Sequence, residues 1–170
     1  MFKRNRFNID FDVTKETPYF QVDTQHRVRF AMEDINVPLL KDVLNTVFQE
    51  NQNLSLIFAS EYIVNNVRRS SKAKLGKYLT IRNWKEHVVQ NEMSGEGTVY
   101  IQVNHLDKDE VMKYCIQVYR GHPQSYIAFF NHDFLVYVST DVIDIISDDS
   151  EKVKKLKERY RETYNKFYEE

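Results

Sequence analysis

From Ser125 to Ser147 the chain reads SYIAFFNHDFLVYVSTDVIDIIS, three apolar runs without Gly or Pro. The breaks between them, Asn131-His132-Asp133 and Ser139-Thr140-Asp141, are turn-forming, so the runs predict an antiparallel meander. Tyr126 to Phe130 is apolar at consecutive positions, the pattern of an inner strand covered on both faces. In the third run Val142, Ile143, Ile145 and Ile146 flank Asp144, which sets one carboxylate inside an apolar strand.

The remaining pattern gives a succession of elements. Phe7, Ile9, Phe11 and Val13 alternate with Asn8, Asp10 and Asp12 at a strand period. Tyr19–Val22 and Arg27–Met32 are expected to form a hairpin around Asp23-Thr24-Gln25, with Val28, Phe30 and Met32 on the core and Arg27 and Arg29 in solvent. Asn36 and Pro38 open a helix, Asn as N-cap and Pro in the first turn. Its apolar face is Leu39, Leu40, Val43, Leu44, Val47 and Phe48, ending near Glu50 before the break Asn51-Gln52-Asn53. Leu54–Ala59 and Thr98–Val103 read as strands.

Between them, residues 60–95 are expected to be a helical region, inserted or mobile. Tyr62, Ile63, Val67 and Leu75 suggest one helix and Trp84 to Asn91 another, with a break at Gly76 and a loop at Ser94-Gly95-Glu96-Gly97. Asp107 and Glu110 form a capping-box pattern ahead of Val111, Met112, Cys115, Ile116 and Tyr119, and Gly121 and Pro123 close that helix. Asp148-Asp149-Ser150 caps a last helix carrying Val153, Leu156, Tyr160, Tyr164 and Phe167. The order predicts one α+β domain over residues 1–170, a single mostly antiparallel sheet with helices packed on one face.

Composition bounds the function. The 170 residues include 42% apolar and 14% aromatic positions, ample for a core. A formal net charge of -1 argues against a whole-molecule grip on nucleic acid, so any such role needs a local basic patch. Cys115 is the only cysteine, which excludes an intramolecular disulfide and multi-cysteine zinc sites and suits a reducing compartment. The basic start MFKRNRFNIDFDV lacks a following apolar run, and no stretch is long and apolar enough to span a bilayer. The expected location is cytoplasmic, with no membrane partner and no cofactor.

Motif chemistry is sparse. Gly76, Gly95, Gly97 and Gly121 fit no phosphate loop, and His26, His87, His105, His122 and His132 are dispersed, so no metal set is assigned. Cys115 with His105 or His122 makes a nominal thiol dyad, but Cys115 lies on an apolar helical stripe, where a buried thiol is ordinary. Two charged segments stand out. Asp141, Asp144, Asp148, Asp149 and Glu151 form an acidic stretch suited to a basic protein partner or a cation, with capping and turn formation accounting for Asp141, Asp148 and Asp149. Arg68, Arg69, Lys72, Lys74 and Lys77, joined by Lys3, Arg4 and Arg6, are candidate phosphate contacts, against the plainer reading of a solvated face.

The strand ending Tyr137-Val138, then Asp141-Val142-Ile143, then a charged helix with Leu156, Tyr160, Tyr164, Asn165 and Phe167 resembles the C-terminal part of a bacterial domain-of-unknown-function family. That family shares Tyr-Asp-Asp-Arg-Gly-x-Asp-Val-Ile followed by Leu-Tyr-x-x-Tyr-Asn. The likeness spans residues 125–168, with a looser echo at Arg27–Glu33; Val138-Ser139-Thr140 stands where the family has Arg-Gly. By analogy with small bacterial domains of this kind, the resemblance implies an immunity protein that occludes a toxin domain. Three functions are therefore expected to compete: a non-enzymatic protein-binding domain, a nucleic-acid-associated domain using the basic run, and a metal-dependent hydrolase or nuclease with a dispersed Asp/His site including Asp144 and His132.

Overall fold

A computed structural model describes residues 2–4, 6–50 and 53–170, the first three by backbone alone. Among the described residues the main sheet holds eight strands, all in antiparallel pairs. In chain order the strands are β1 (Phe2–Arg4), β2 (Ile9–Phe11), β3 (Arg27–Ala31), β4 (Ser55–Val64), β5 (Val67–Ser70), β6 (Lys85–Asn91), β7 (Glu96–Val103), β8 (Ile127–Phe130), β9 (Leu135–Val138) and β10 (Val142–Ile146). The helices are α1 (Val37–Val47), α2 (Lys108–Tyr119) and α3 (Ser150–Arg159). Across the sheet the order is β3-β10-β9-β8-β4-β7-β6, with β5 on β4, while β1 and β2 pair separately.

The expected α+β class and the meander β8-β9-β10 are observed. Each helix starts where its cap residue stands: Asn36 accepts from the Leu39 N–H, Asp107 from Glu110 and Asp149 from Glu151. The three helices bury Leu40, Leu44, Val111, Cys115, Val153 and Leu156 in one core against Phe30, Leu56, Phe129 and Ile145 of the sheet. The opposite face is covered by Phe7, Ile9 and Phe11 of the N-terminal segment, packed on Ile57, Tyr100, Ala128 and Leu135.

Four expectations are corrected. Residues 60–95 are not helical: they contain the second half of β4, β5, a short 3-10 turn at Leu75–Lys77, and β6. Tyr19–Val22 does not form a hairpin with β3; Pro18–Gln21 is a 3-10 turn, and β3 pairs with β10. Pro18, with its fixed φ and no N–H, suits the start of that turn. Arg29 lies out of solvent, buried against Asp144. The last helix ends at Arg159 despite a continuing apolar spacing, because the chain turns at Tyr160–Tyr164 and the Asn165 N–H donates to the Arg29 carbonyl at 2.7 Å. Of the break after α1, Asn51 and Gln52 lie outside the described residues.

Candidate functional site at the open end of the sheet

The acidic stretch does not form one surface. Asp141 is exposed before β10, and Asp148 and Asp149 are exposed beyond its other end. Asp144, between them, is fully buried and unable to meet a partner. Its carboxylate takes two bonds from Arg29, from Nε at 2.6 Å and Nη2 at 2.8 Å. Asp149 is committed to capping α3, Asp148 lies 3.6 Å from Arg6 Nε, and Glu151 is exposed in the first turn of α3. Only Asp144 lies within β10, a strand covered on both faces, while the other four stand in the turn before it and in the helix cap and first turn after it.

The basic run is split too. Arg68 and Arg69 are neighbours on β5, so their side chains leave opposite faces of the sheet. Arg68 is compensated: it bonds both oxygens of Glu86 at 3.3 and 3.0 Å and lies 3.5 Å from Glu61. Arg69, Lys72 and Lys74 are in no ion pair among the described residues, and Lys77 sits 5.5 Å above the Tyr78 ring. The side chains of Lys3 and Arg4 lie outside the described residues, and Arg6 is turned to Asp148 and His132.

Arg68 and Arg69 lie beside a hairpin at one end of the sheet. At a β-bulge between Ala59 and Glu61, β4 changes neighbour: residues 55–58 pair with β8, and residues 61–64 pair with β5. A bulge bends its strand and raises the twist, which carries the second half of β4 away from β8. The strand then turns back through Asn65 and Asn66, both at positive φ (51° and 62°), as a two-residue hairpin loop requires. The neighbouring loop of residues 92–95 is braced by Asn91, whose side chain accepts from the Met93 and Ser94 N–H groups. The two tips are clipped together: the Asn66 N–H donates to the Gly95 carbonyl at 2.9 Å, and Gln90 Nε2 donates to Asn66 Oδ1 at 2.8 Å.

At this end Tyr62, Val67 and Met93 face water, Met93 being 98% exposed, and Tyr62 and Val67 share the face of the sheet away from the helices. Val88, also exposed, points from β6 to the helix face, and Trp84 precedes β6 at the end far from the tips. The two outer strands, β5 and β6, are both sheet edges. Sequence reasoning missed this surface because its strands bury little and show no clean alternation. Val64-Asn65-Asn66-Val67 is the local signal that points to it.

The other chemistry remains apart. Cys115 is fully buried in the helix-side core, and burial pushes its thiol up to about 12, so it carries no thiolate at neutral pH. His132 Nδ1 contacts Arg6 Nη2 and Asp133 Oδ1, each at 3.0 Å, and Asp144 contacts Arg29, so the Asp144/His132 pair is not assembled. Among the described residues no group of three or more His, Cys, Asp or Glu side chains is gathered as a metal set, and no helix is long and apolar enough to cross a membrane. Comparison with family models, with curated proteins and with solved structures gives no match.

Proposed function

We propose that this chain is a non-enzymatic protein-binding domain whose contact surface is the open end of the sheet. The observation that carries the reading is the exposure of Tyr62 and Val67 together on one face of the β4-β5 hairpin, beside Met93 in the loop clipped to its tip. Aromatic residues and Met are the types enriched where proteins meet, and contiguous exposed apolar surface marks such sites. Arg69, paired with Tyr62 across β4 and β5, borders it and is in no ion pair among the described residues, which favours a partner with an acidic group beside an apolar centre. In its narrowest form, drawn from the resemblance over residues 125–168, the partner is a toxin domain neutralised by occlusion.

The test is capture of a partner from the native host, identification by mass spectrometry, and reconstitution from purified components. Binding is expected to be lost in Tyr62→Ala/Val67→Asp and retained in Asp148→Asn/Glu151→Gln. Retention in the first variant, or no saturable partner for the wild type, removes the reading.

A further inference from the structure

We infer that the β6 edge pairs with β6 of a second copy of this chain, about a twofold axis through Val88, to make one continuous sheet. This goes beyond the binding role above. It gives one of the two edges to self-association and leaves β5 and the hairpin tips to the foreign protein.

β6 runs seven residues, Lys85 to Asn91, in unbroken register with β7, and among the described residues the sheet has no further strand beyond it. It has neither of two devices that commonly blunt an edge, proline and bulge. A twofold axis normal to the sheet keeps the helices of both copies on the same face and places residues opposite each other whose numbers have a constant, even sum. The side chains then select the register. Centring on Glu86 sets Glu86 against itself, centring on Lys85 sets Lys85 against itself, and centring on Val89 sets Glu86 against Glu92. Centring on His87 opposes imidazole to imidazole and leaves the end of the strand unpaired.

Centring on Val88 pairs all seven residues and opposes no like charges. It places Lys85 against Asn91 of the copy, Glu86 against Gln90, His87 against Val89, and Val88 against Val88. Val88, 46% exposed in the single chain, becomes the centre of the contact. Glu86, held by Arg68, approaches Gln90 of the copy with its charge already compensated. The contact is isologous and closes at two copies.

Sedimentation velocity over a wide concentration range tests this with three chains. The wild type is expected to shift reversibly to twice the chain mass. Val88→Lys, which opposes two ammonium groups on the axis, is expected to remain monomeric with an unchanged far-ultraviolet dichroism spectrum. Gln90→Lys, which places an ammonium opposite Glu86 of the copy twice over, is expected to dimerise at lower concentration than the wild type. A wild type that stays monomeric, a Val88→Lys chain that still dimerises, or a Gln90→Lys chain that dimerises less readily overturns the inference. Capture of a foreign partner through Tyr62 and Val67 is read separately, on the wild type and Val88→Lys, because Gln90 also bonds Asn66 at the hairpin tip.

Discussion

Arg29 and Asp144 stand directly opposite each other on β3 and β10 and lock together through two charge-assisted hydrogen bonds on the face away from the helices. The guanidinium is stacked 4.0 Å from the Tyr19 ring centre, with Phe20 at 5.0 Å and Tyr168 at 5.7 Å. Burial raises the Asp144 carboxyl above its ordinary range, against the pull of Arg29. Burial also works against the charge on Arg29, but the carboxylate prevails and raises the guanidinium. A one-residue slip of β3 on β10 would flip every side chain and leave both charges buried alone, so the pair selects this register.

Removing one partner of a buried pair leaves the other charge uncompensated, at a cost of about 3–5 kcal/mol. Asp144→Asn and Arg29→Met are each expected to lose stability on that scale in urea unfolding. The double variant Arg29→Met/Asp144→Leu is expected to lose far less than the sum, because both desolvation costs vanish together. Additive losses would show that the two side chains do not act as a unit.

The roof over this pair is tied down by the C-terminal segment. The Asn165 N–H donates to the Arg29 carbonyl at 2.7 Å, and Arg27 Nη2 donates to the Tyr168 carbonyl at 3.0 Å. Asn165→Pro deletes the first donor, with an expected loss of about 1 kcal/mol. Hydrogen exchange should show the amides after residue 165 losing protection while β10 keeps it. Unchanged protection in the tail would mean that Asn165 is not its anchor.

How far all this was legible follows from the range of each signal. The helix starts were readable because capping is local: Asn36, Asp107 and Asp149 each bond within three residues. The meander was readable because its strands are buried and its breaks polar. The fate of Arg29 was not, since its partner lies 115 residues away and an alternating Arg in a strand ordinarily meets water. Residues 60–95 misled for the opposite reason. Exposed edge strands need no buried stripe, and the four-residue spacing of Trp84 and Val88 imitates a helix. The candidate site was thus written in turn chemistry at Asn65-Asn66 and in exposure, and exposure has no sequence signature.

Stability should fall on acidification, with a share traceable to Asp133. Its carboxylate is held below the usual range by the hydrogen bond from Lys152, at 2.6 Å, and then by His132. A carboxyl lowered in the folded state contributes stability that is present above its unfolded value of about 4 and disappears as pH falls through the folded value. Asp144, raised by burial, works with the opposite sign and gains as pH falls. The readout is therefore the difference between wild type and Asp133→Asn, which should be constant above about pH 5 and shrink below about pH 4. A difference independent of pH would rule out this role for Asp133.

The attachment of β6 depends on a missing side chain. Gly97 of β7 faces Gln90 of β6, and a Cβ there would lie 2.8 Å from the Gln90 Cα and closer still to the Val89 carbonyl oxygen. Both obstacles are backbone, so a side chain can be admitted only by moving one strand from the other. Gly97→Ala is expected to cost about 1–3 kcal/mol, the usual scale of overpacking. The loss should be local: amide exchange should accelerate along residues 85–91 and hardly change in β8, β9 and β10, whose ladder does not touch β6. Because Val88 rides on this strand, Gly97→Ala should also weaken self-association more than its effect on global stability accounts for. Gly95→Ala is the contrasting case. There φ is +69° and the nearest obstacle is the Asn66 side-chain amide at 2.9 Å, so strain falls on the tip and the β6 ladder should stay protected. Equal exchange profiles for the two variants would show that Gly97 is not what lets β6 sit against β7.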